Sequence, residues 1–135
     1  MPNRRAAFSA VLCLALMCGS NVWAQTQSPS EMYREFAAAA RQATSLAQVE
    51  RFLSAGLLKD MKAAPKAQQE NWLKFMKPTW SLSDFKLSSE SVQGDKATLE
   101  ANGKTAAGKT AKGRIELVRE RGTWKLEDEA WATDP

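Results

Sequence analysis

The chain contains no histidine, and its two cysteines, Cys13 and Cys18, fall within its first eighteen residues. Without imidazole there is no His metal ligand, no Ser–His or Cys–His nucleophile pair and no imidazole acid–base catalyst. Beyond residue 18 there is no thiol either, so disulfides and zinc–thiolate sites are excluded there and the core must hold by packing. Tyr33 is the single tyrosine. Carboxylates, lysines and Ser/Thr hydroxyls are the other groups left for chemistry. Neither sign of charge dominates. The formal net charge is +4, two of it from Arg4 and Arg5, leaving 17 basic against 15 acidic residues from Gln25 onward. That balance is an ordinary surface and predicts no nucleic-acid partner.

The first residues, "MPNRRAAFSAVLCLALMCGSNVWAQT", have the grammar of a secretory signal. Arg4 and Arg5 form the positive segment and Ala6 to Cys18 the apolar run. Val22-Trp23-Ala24 places small residues where a signal peptidase reads them. Cleavage after Ala24 predicts a periplasmic or secreted mature domain spanning 25–135. The apolar run is short for a membrane span and no second run is longer, so the mature form is expected to carry no membrane anchor. About 110 residues suffice for one domain, burying roughly 60% or more of the unfolded surface.

The next stretch is helical by period and by punctuation. In "SPSEMYREFAAAARQATS", Ser28 can cap, Pro29 suits the first helical position and Glu31 completes a capping box. Met32, Phe36, Ala39 or Ala40, and Ala43 then make one apolar stripe, with Tyr33 beside it. "SLAQ" at 45–48 is a second capping box, predicting a short helix that buries Val49, Phe52 and Leu53. Gly56 is expected to interrupt it, with Leu57, Leu58 and Met61 adding a turn or two. Pro65 opens a third helix, with Trp72, Phe75 and Met76 facing inward and Pro78 stopping it.

After Pro78 the period becomes two. Trp80 and Leu82 share one parity and Phe85 and Leu87 the other, which predicts a bulge near Ser83-Asp84. Turns are expected at Gly94-Asp95 and at Arg121-Gly122. Ala97, Leu99 and Ala101 share a face, as do Ile115 and Leu117, then Trp124 and Leu126. Trp131 breaks that parity: it either faces the other side or follows another bulge. Three helices followed by about four antiparallel strands, with no strand–helix–strand unit, predict an α+β domain.

One motif competes with this reading. "GKTAAGKT" at 103–110 matches the phosphate-loop pattern G-x-x-x-x-G-K-[ST]. A phosphate loop needs a helix to begin at the Lys-Thr end, where its dipole and free amides meet the phosphate. "AKGRIELV" follows instead, a β-rich run broken by Gly113. The glycines read as turn residues in a long hairpin, and no nucleotide is expected. Lys96, Lys104, Lys109 and Lys112 form the one local basic excess and suit a soluble hairpin tip.

From Pro29 to Trp131 the chain resembles small exported members of the nuclear-transport-factor-2-like (SnoaL-like) superfamily. "GRIELVRERGTWKLEDEAW" at 113–131 is similar to their final hairpin, and "FLSAGLLKDMKA" at 52–63 to the helix that caps the mouth of their cone. The resemblance implies N-terminal helices packed on a strongly curved antiparallel sheet, with one further short strand near the helices that the sequence does not locate. Enzymes of the superfamily commonly use Asp–His or Asp–Tyr–Arg arrangements inside the cone, and the first lacks its histidine here. The polar candidates that remain are Tyr33, Asp60, Asp84, Glu90, Glu100, Arg114 and Glu116. Tyr33 either points into a cavity or ties helix to sheet. Asp84 either is aimed inward by the bulge or serves the turn. Glu100 and Glu116 alternate with apolar residues, as on a wet sheet face.

Trp72, Trp80, Trp124 and Trp131 either build the core or wall an apolar pocket. The function these residues imply is a non-enzymatic exported domain that binds a small apolar or amphipathic ligand or a protein partner. Its ligand-pocket candidates are Tyr33, Trp72, Trp80, Asp84 and Trp124. No metal or cofactor is expected. A carboxylate- or tyrosine-dependent enzyme, and a purely structural or dimerising module, stand as alternatives. For a homodimer, Val118 and Trp131 are the candidate face, if both are exposed on one side of the sheet.

Overall fold

A computed structural model describes residues 27–135; the expected signal segment lies outside the described residues. Helix α1 spans Pro29–Gln42, α2 Ala55–Ala63 and α3 Lys66–Trp80, followed by strands β1 Ser83–Gln93, β2 Lys96–Lys104, β3 Thr110–Glu120 and β4 Thr123–Thr133. The strands form one antiparallel meander in the order β1-β2-β3-β4, and the helices pack on one face of it. The expected α+β class, with N-terminal helices on an antiparallel sheet, is the class the chain adopts.

Local chemistry sets most boundaries. Ser28 Oγ accepts from Glu31 N at 3.1 Å and the Glu31 carboxylate accepts from Ser28 N at 2.9 Å, so the capping box starts α1 as its sequence predicts. The second box holds through Gln48, whose side chain accepts from Ser45 N at 3.2 Å. It opens two single-turn 3₁₀ segments, Leu46–Gln48 and Glu50–Phe52, rather than an α-helix. Gly56 does not interrupt a helix; it lies in the first turn of α2, which Ser54 caps by accepting from Leu57 N at 3.1 Å.

Helix α3 departs furthest from expectation. Pro78 does not stop it, and Trp80, expected in a strand, completes its last turn. A proline this close to a C-terminus removes only one donor from the ladder. Burial of Trp80 against Phe36 and Trp72, with ring centroids 5.4 Å away in both cases, compensates. The inward face is Leu73, Met76 and Trp80, with Trp72 half-buried; Phe75 is turned to solvent, 79% exposed.

The strands are bent by bulges. The predicted one is present: register shifts between Ser83 and Lys86, and Asp84 sits at φ 51°. A second falls between Leu87 and Ser89. The third decides the site. β3 and β4 pair Glu116 with Asp128 but Leu117 with Leu126, so Glu127 is an extra residue in β4. Before it, Trp124 and Leu126 face the helices; after it, Glu129 and Trp131 do, opposite Ile115 and Gly113. Trp131 therefore follows a bulge.

"GKTAAGKT" forms a hairpin. Gly103 belongs to β2, Gly108 turns the chain at φ 78°, and β3 begins at Thr110. Its loop amides are occupied: Thr105 N donates to Lys109 O at 2.9 Å and Gly108 N to Thr105 O at 2.8 Å. The short strand implied near the helices reduces to one parallel bridge, Leu53 to Leu126, where Ser54 N donates to Leu126 O at 2.8 Å.

Gly113 is required by packing. A Cβ placed there would lie 2.6 Å from Trp131 Cδ2 and Cε2, well inside van der Waals contact. Gly113→Ala is therefore expected to push the indole off the sheet and destabilise the domain by about 1–3 kcal/mol. Urea denaturation followed by tryptophan emission checks this. A variant as stable as the parent, with unchanged emission, would show that Trp131 does not depend on the close approach.

Candidate functional site

One carboxylate, half-buried on the inner face of β4, is held by two aromatic donors. Glu129 Oε2 accepts from the Tyr33 hydroxyl at 2.8 Å, and Oε1 accepts from Trp80 Nε1 at 2.9 Å. The three groups come from α1, β4 and the end of α3, so each depends on a different element for its position. Trp131, two residues along β4 on the same face, has its Nε1 buried with no hydrogen-bond partner. Desolvation raises the Glu129 pKa above the usual carboxylate range, outweighing the donors that favour its charged form. Burial, then the neighbouring Glu129 charge, pushes the Tyr33 phenol up as well, so Tyr33 remains a donor throughout the physiological range.

Beside this cluster lies a cleft of about 170 Å³ between α1 and the start of the sheet. Tyr33, Trp80, Leu82 and Phe85 supply its walls, and Ala37 and Ala38 keep the helix side shallow. Tyr33 and Phe85 stack with centroids 6.2 Å apart. The polar tips of Tyr33 and Trp80 are engaged by Glu129 and both residues are nearly fully buried, so the accessible apolar lining is Leu82 and Phe85. Arg34 and Arg41 complete the lining. The volume is of the order of a cavity that holds one benzene ring.

Two of the five predicted pocket residues, Tyr33 and Trp80, meet in the cleft; the other three do not line it. Trp72 is half-buried behind Trp80. Trp124 is buried near the β3–β4 turn, under the Arg119 guanidinium at 4.4 Å from the ring centroid. Asp84 is exposed: the bulge takes it up in a left-handed backbone and does not aim it inward. Asp60, Glu90, Glu100, Arg114 and Glu116 are exposed too, and Glu90 accepts from Ser30 N at 3.2 Å across to α1.

The supposed dimer face also separates. Val118 is half-buried on the side of the sheet away from the helices, opposite Lys96 and Lys125, whereas Trp131 faces inward against Phe85 and Gly113. The two share no patch.

Glu129 is the residue sequence reasoning missed. It sits in the acidic run Glu127-Asp128-Glu129, which reads as solvated, and only the extra residue at 127 turns it inward. The parity break at Trp131 was the signal: a bulge between Leu126 and Trp131 places Glu129 on the inner row. Among the described residues, no three His, Cys, Asp or Glu side chains gather as a metal site.

No family model and no curated protein matches the sequence. Among solved structures, the chain is similar to a SEC-C-motif-containing protein from Rhodopseudomonas palustris, at 16% identity over 78% of this chain and 79% of that one, with a TM-score of 0.53. An NTF2-like protein of unknown function from Shewanella baltica aligns at 10% identity over 78% and 94% of the two chains, with a TM-score of 0.48. Another, from Silicibacter pomeroyi, aligns at 20% identity over 49% and 57%, with a TM-score of 0.39. At these identities a likeness speaks to the fold alone.

Proposed function

We propose that this is an exported, NTF2-like, non-enzymatic binding domain that takes a small apolar or amphipathic ligand in the cleft between α1 and β1. The observation that carries this reading is the orientation of the aromatic wall. Glu129 holds the polar ends of the almost fully buried Tyr33 and Trp80, so they form an apolar floor and the half-buried Leu82 and Phe85 supply the accessible wall. Lining residues held in place by hydrogen bonds to one acceptor lose little freedom when a ligand docks, which favours binding. Export rests on the Arg4–Ala24 signal grammar, and the protein recovered from its producing cells should begin at Gln25.

Titration with toluene, a neutral single ring, tests the cleft. Saturable quenching of tryptophan emission is expected, with affinity in the sub-millimolar to millimolar range for so few atoms. Ala38→Trp, on the exposed side of α1, should abolish the quenching by filling the cleft while the circular dichroism stays the same. Absence of saturable binding, or equal binding by Ala38→Trp, would overturn the proposal and leave a structural module.

A second reading rests on the Tyr33–Glu129 hydrogen bond, a part-buried phenol–carboxylate pair able to relay a proton. It requires the carboxylate to reach a substrate. The cleft is lined by Tyr33 and Trp80 and not by Glu129, and for that reason we favour binding over catalysis.

A further inference from the structure

The cleft combines an aromatic wall with cations and no acid. Of its eight lining residues, Arg34 and Arg41 are the only charged ones, and both are exposed at their outer ends on α1. Their spacing of seven residues puts them on one face of the helix, about 10 Å apart along its axis, with Ala37 and Ala38 between them. Neither guanidinium forms an ion pair or a side-chain hydrogen bond among the described residues. Of the other arginines among the described residues, Arg51 pairs with Glu35, Arg114 with Glu116 and Arg119 with Asp95, and Arg121, in the β3–β4 turn, forms no ion pair. The nearby acid Glu35 is engaged by Arg51 and by Gln27.

From this arrangement we infer that the ligand is a small carboxylate, of about one ring in size, whose apolar body lies against Trp80 and Phe85 and whose anionic end meets Arg34 or Arg41. The inference rests on the binding reading above and names its ligand class. Three features converge on it. The volume accepts about one ring and not a long chain. Two alanines leave the helix surface low enough for the ligand to lie across α1. A guanidinium at each end of that path supplies paired donors that match a carboxylate's two oxygens better than an ammonium would. No acidic side chain lines the cleft to repel the anion.

The probes are 3-phenylpropionate and its amide, which match in size and differ in charge. For the full protein at low ionic strength, the carboxylate is expected to bind about two- to fivefold tighter, the range for one solvent-accessible charge pair. The preference should shrink as salt is raised toward 1 M, where the screening length falls to about 3 Å. The double variant Arg34→Gln, Arg41→Gln should bind both probes equally, at the affinity the parent shows for the amide. These arginines are exposed, so the fold is expected to survive; thermal unfolding of the variant checks it. Equal affinity of the parent for acid and amide would overturn the anion inference and leave the apolar cleft standing. Binding of neither probe, together with no binding of toluene, would remove both. A carboxylate preference that persists in the double variant would also overturn it, by placing the anion elsewhere.

Discussion

Phe36→Ala is expected to lower the unfolding free energy by about 3–5 kcal/mol, the range for removing a fully buried phenylalanine. Phe36 is 0% exposed and lies at the centre of the aromatic core. Its ring centroid lies 5.8 Å from Tyr33, 5.8 Å from Phe52 and 5.4 Å from Trp80, the last two edge-on. These neighbours belong to α1, the second 3₁₀ segment and α3, so truncation opens a void that no single element can close by shifting. With domains of this size stable by about 5–15 kcal/mol, much of the total would be lost. Urea denaturation monitored by circular dichroism measures it from the shift in midpoint. A loss below about 1 kcal/mol would mean that the core collapses around the gap.

Glu129→Ala is the second large effect, expected at about 2–4 kcal/mol, because it leaves the Tyr33 hydroxyl and the Trp80 N–H as buried donors without an acceptor. Glu129→Gln should behave differently. Its amide oxygen still accepts from Trp80, its amide nitrogen can meet Tyr33, and it carries no charge. The sign of the pH dependence follows from the raised pKa. Glu129 favours its neutral form in the folded state more than in the unfolded chain, so its contribution is fully present below the ordinary carboxylate value of about 4.3. It is lost as pH rises through the folded value. Relative to Glu129→Gln, the parent should therefore weaken as pH rises above the ordinary carboxylate range. Unfolding curves of both proteins across pH 4 to 8 test this. A stability difference independent of pH would show that Glu129 titrates as an ordinary surface acid.

Much of the fold can be read from the letters where the signal is local. Ser28 and Glu31 start α1, Gly94 and Gly122 turn the chain at positive φ, and the parity change around Asp84 marks its bulge. Each depends on residues adjacent in sequence. What escapes the reading depends on distant partners. Pro78 fails to end α3 because Trp80 is held by Phe36, forty-four positions earlier. Phe75 turns outward because Leu73 and Met76 take the buried face. The cleft is half legible: Tyr33 and Trp80 stand out as rare aromatics. Their acceptor, Glu129, does not, because its inward direction comes from pairing with β3.

The ties between the helical half and β4 have a consequence in time. Trp80 waits for an acceptor 49 residues further along, and Tyr33 for one 96 residues along. At ribosomal rates of roughly 5–20 residues per second, some 2–10 s separate the appearance of Trp80 from that of Glu129. During that interval the helices have neither Leu126 to receive Ser54 nor a carboxylate to engage their aromatic tips. A nascent chain in this state cannot lock shut early. Closure of the helical half therefore waits until β4 has been made.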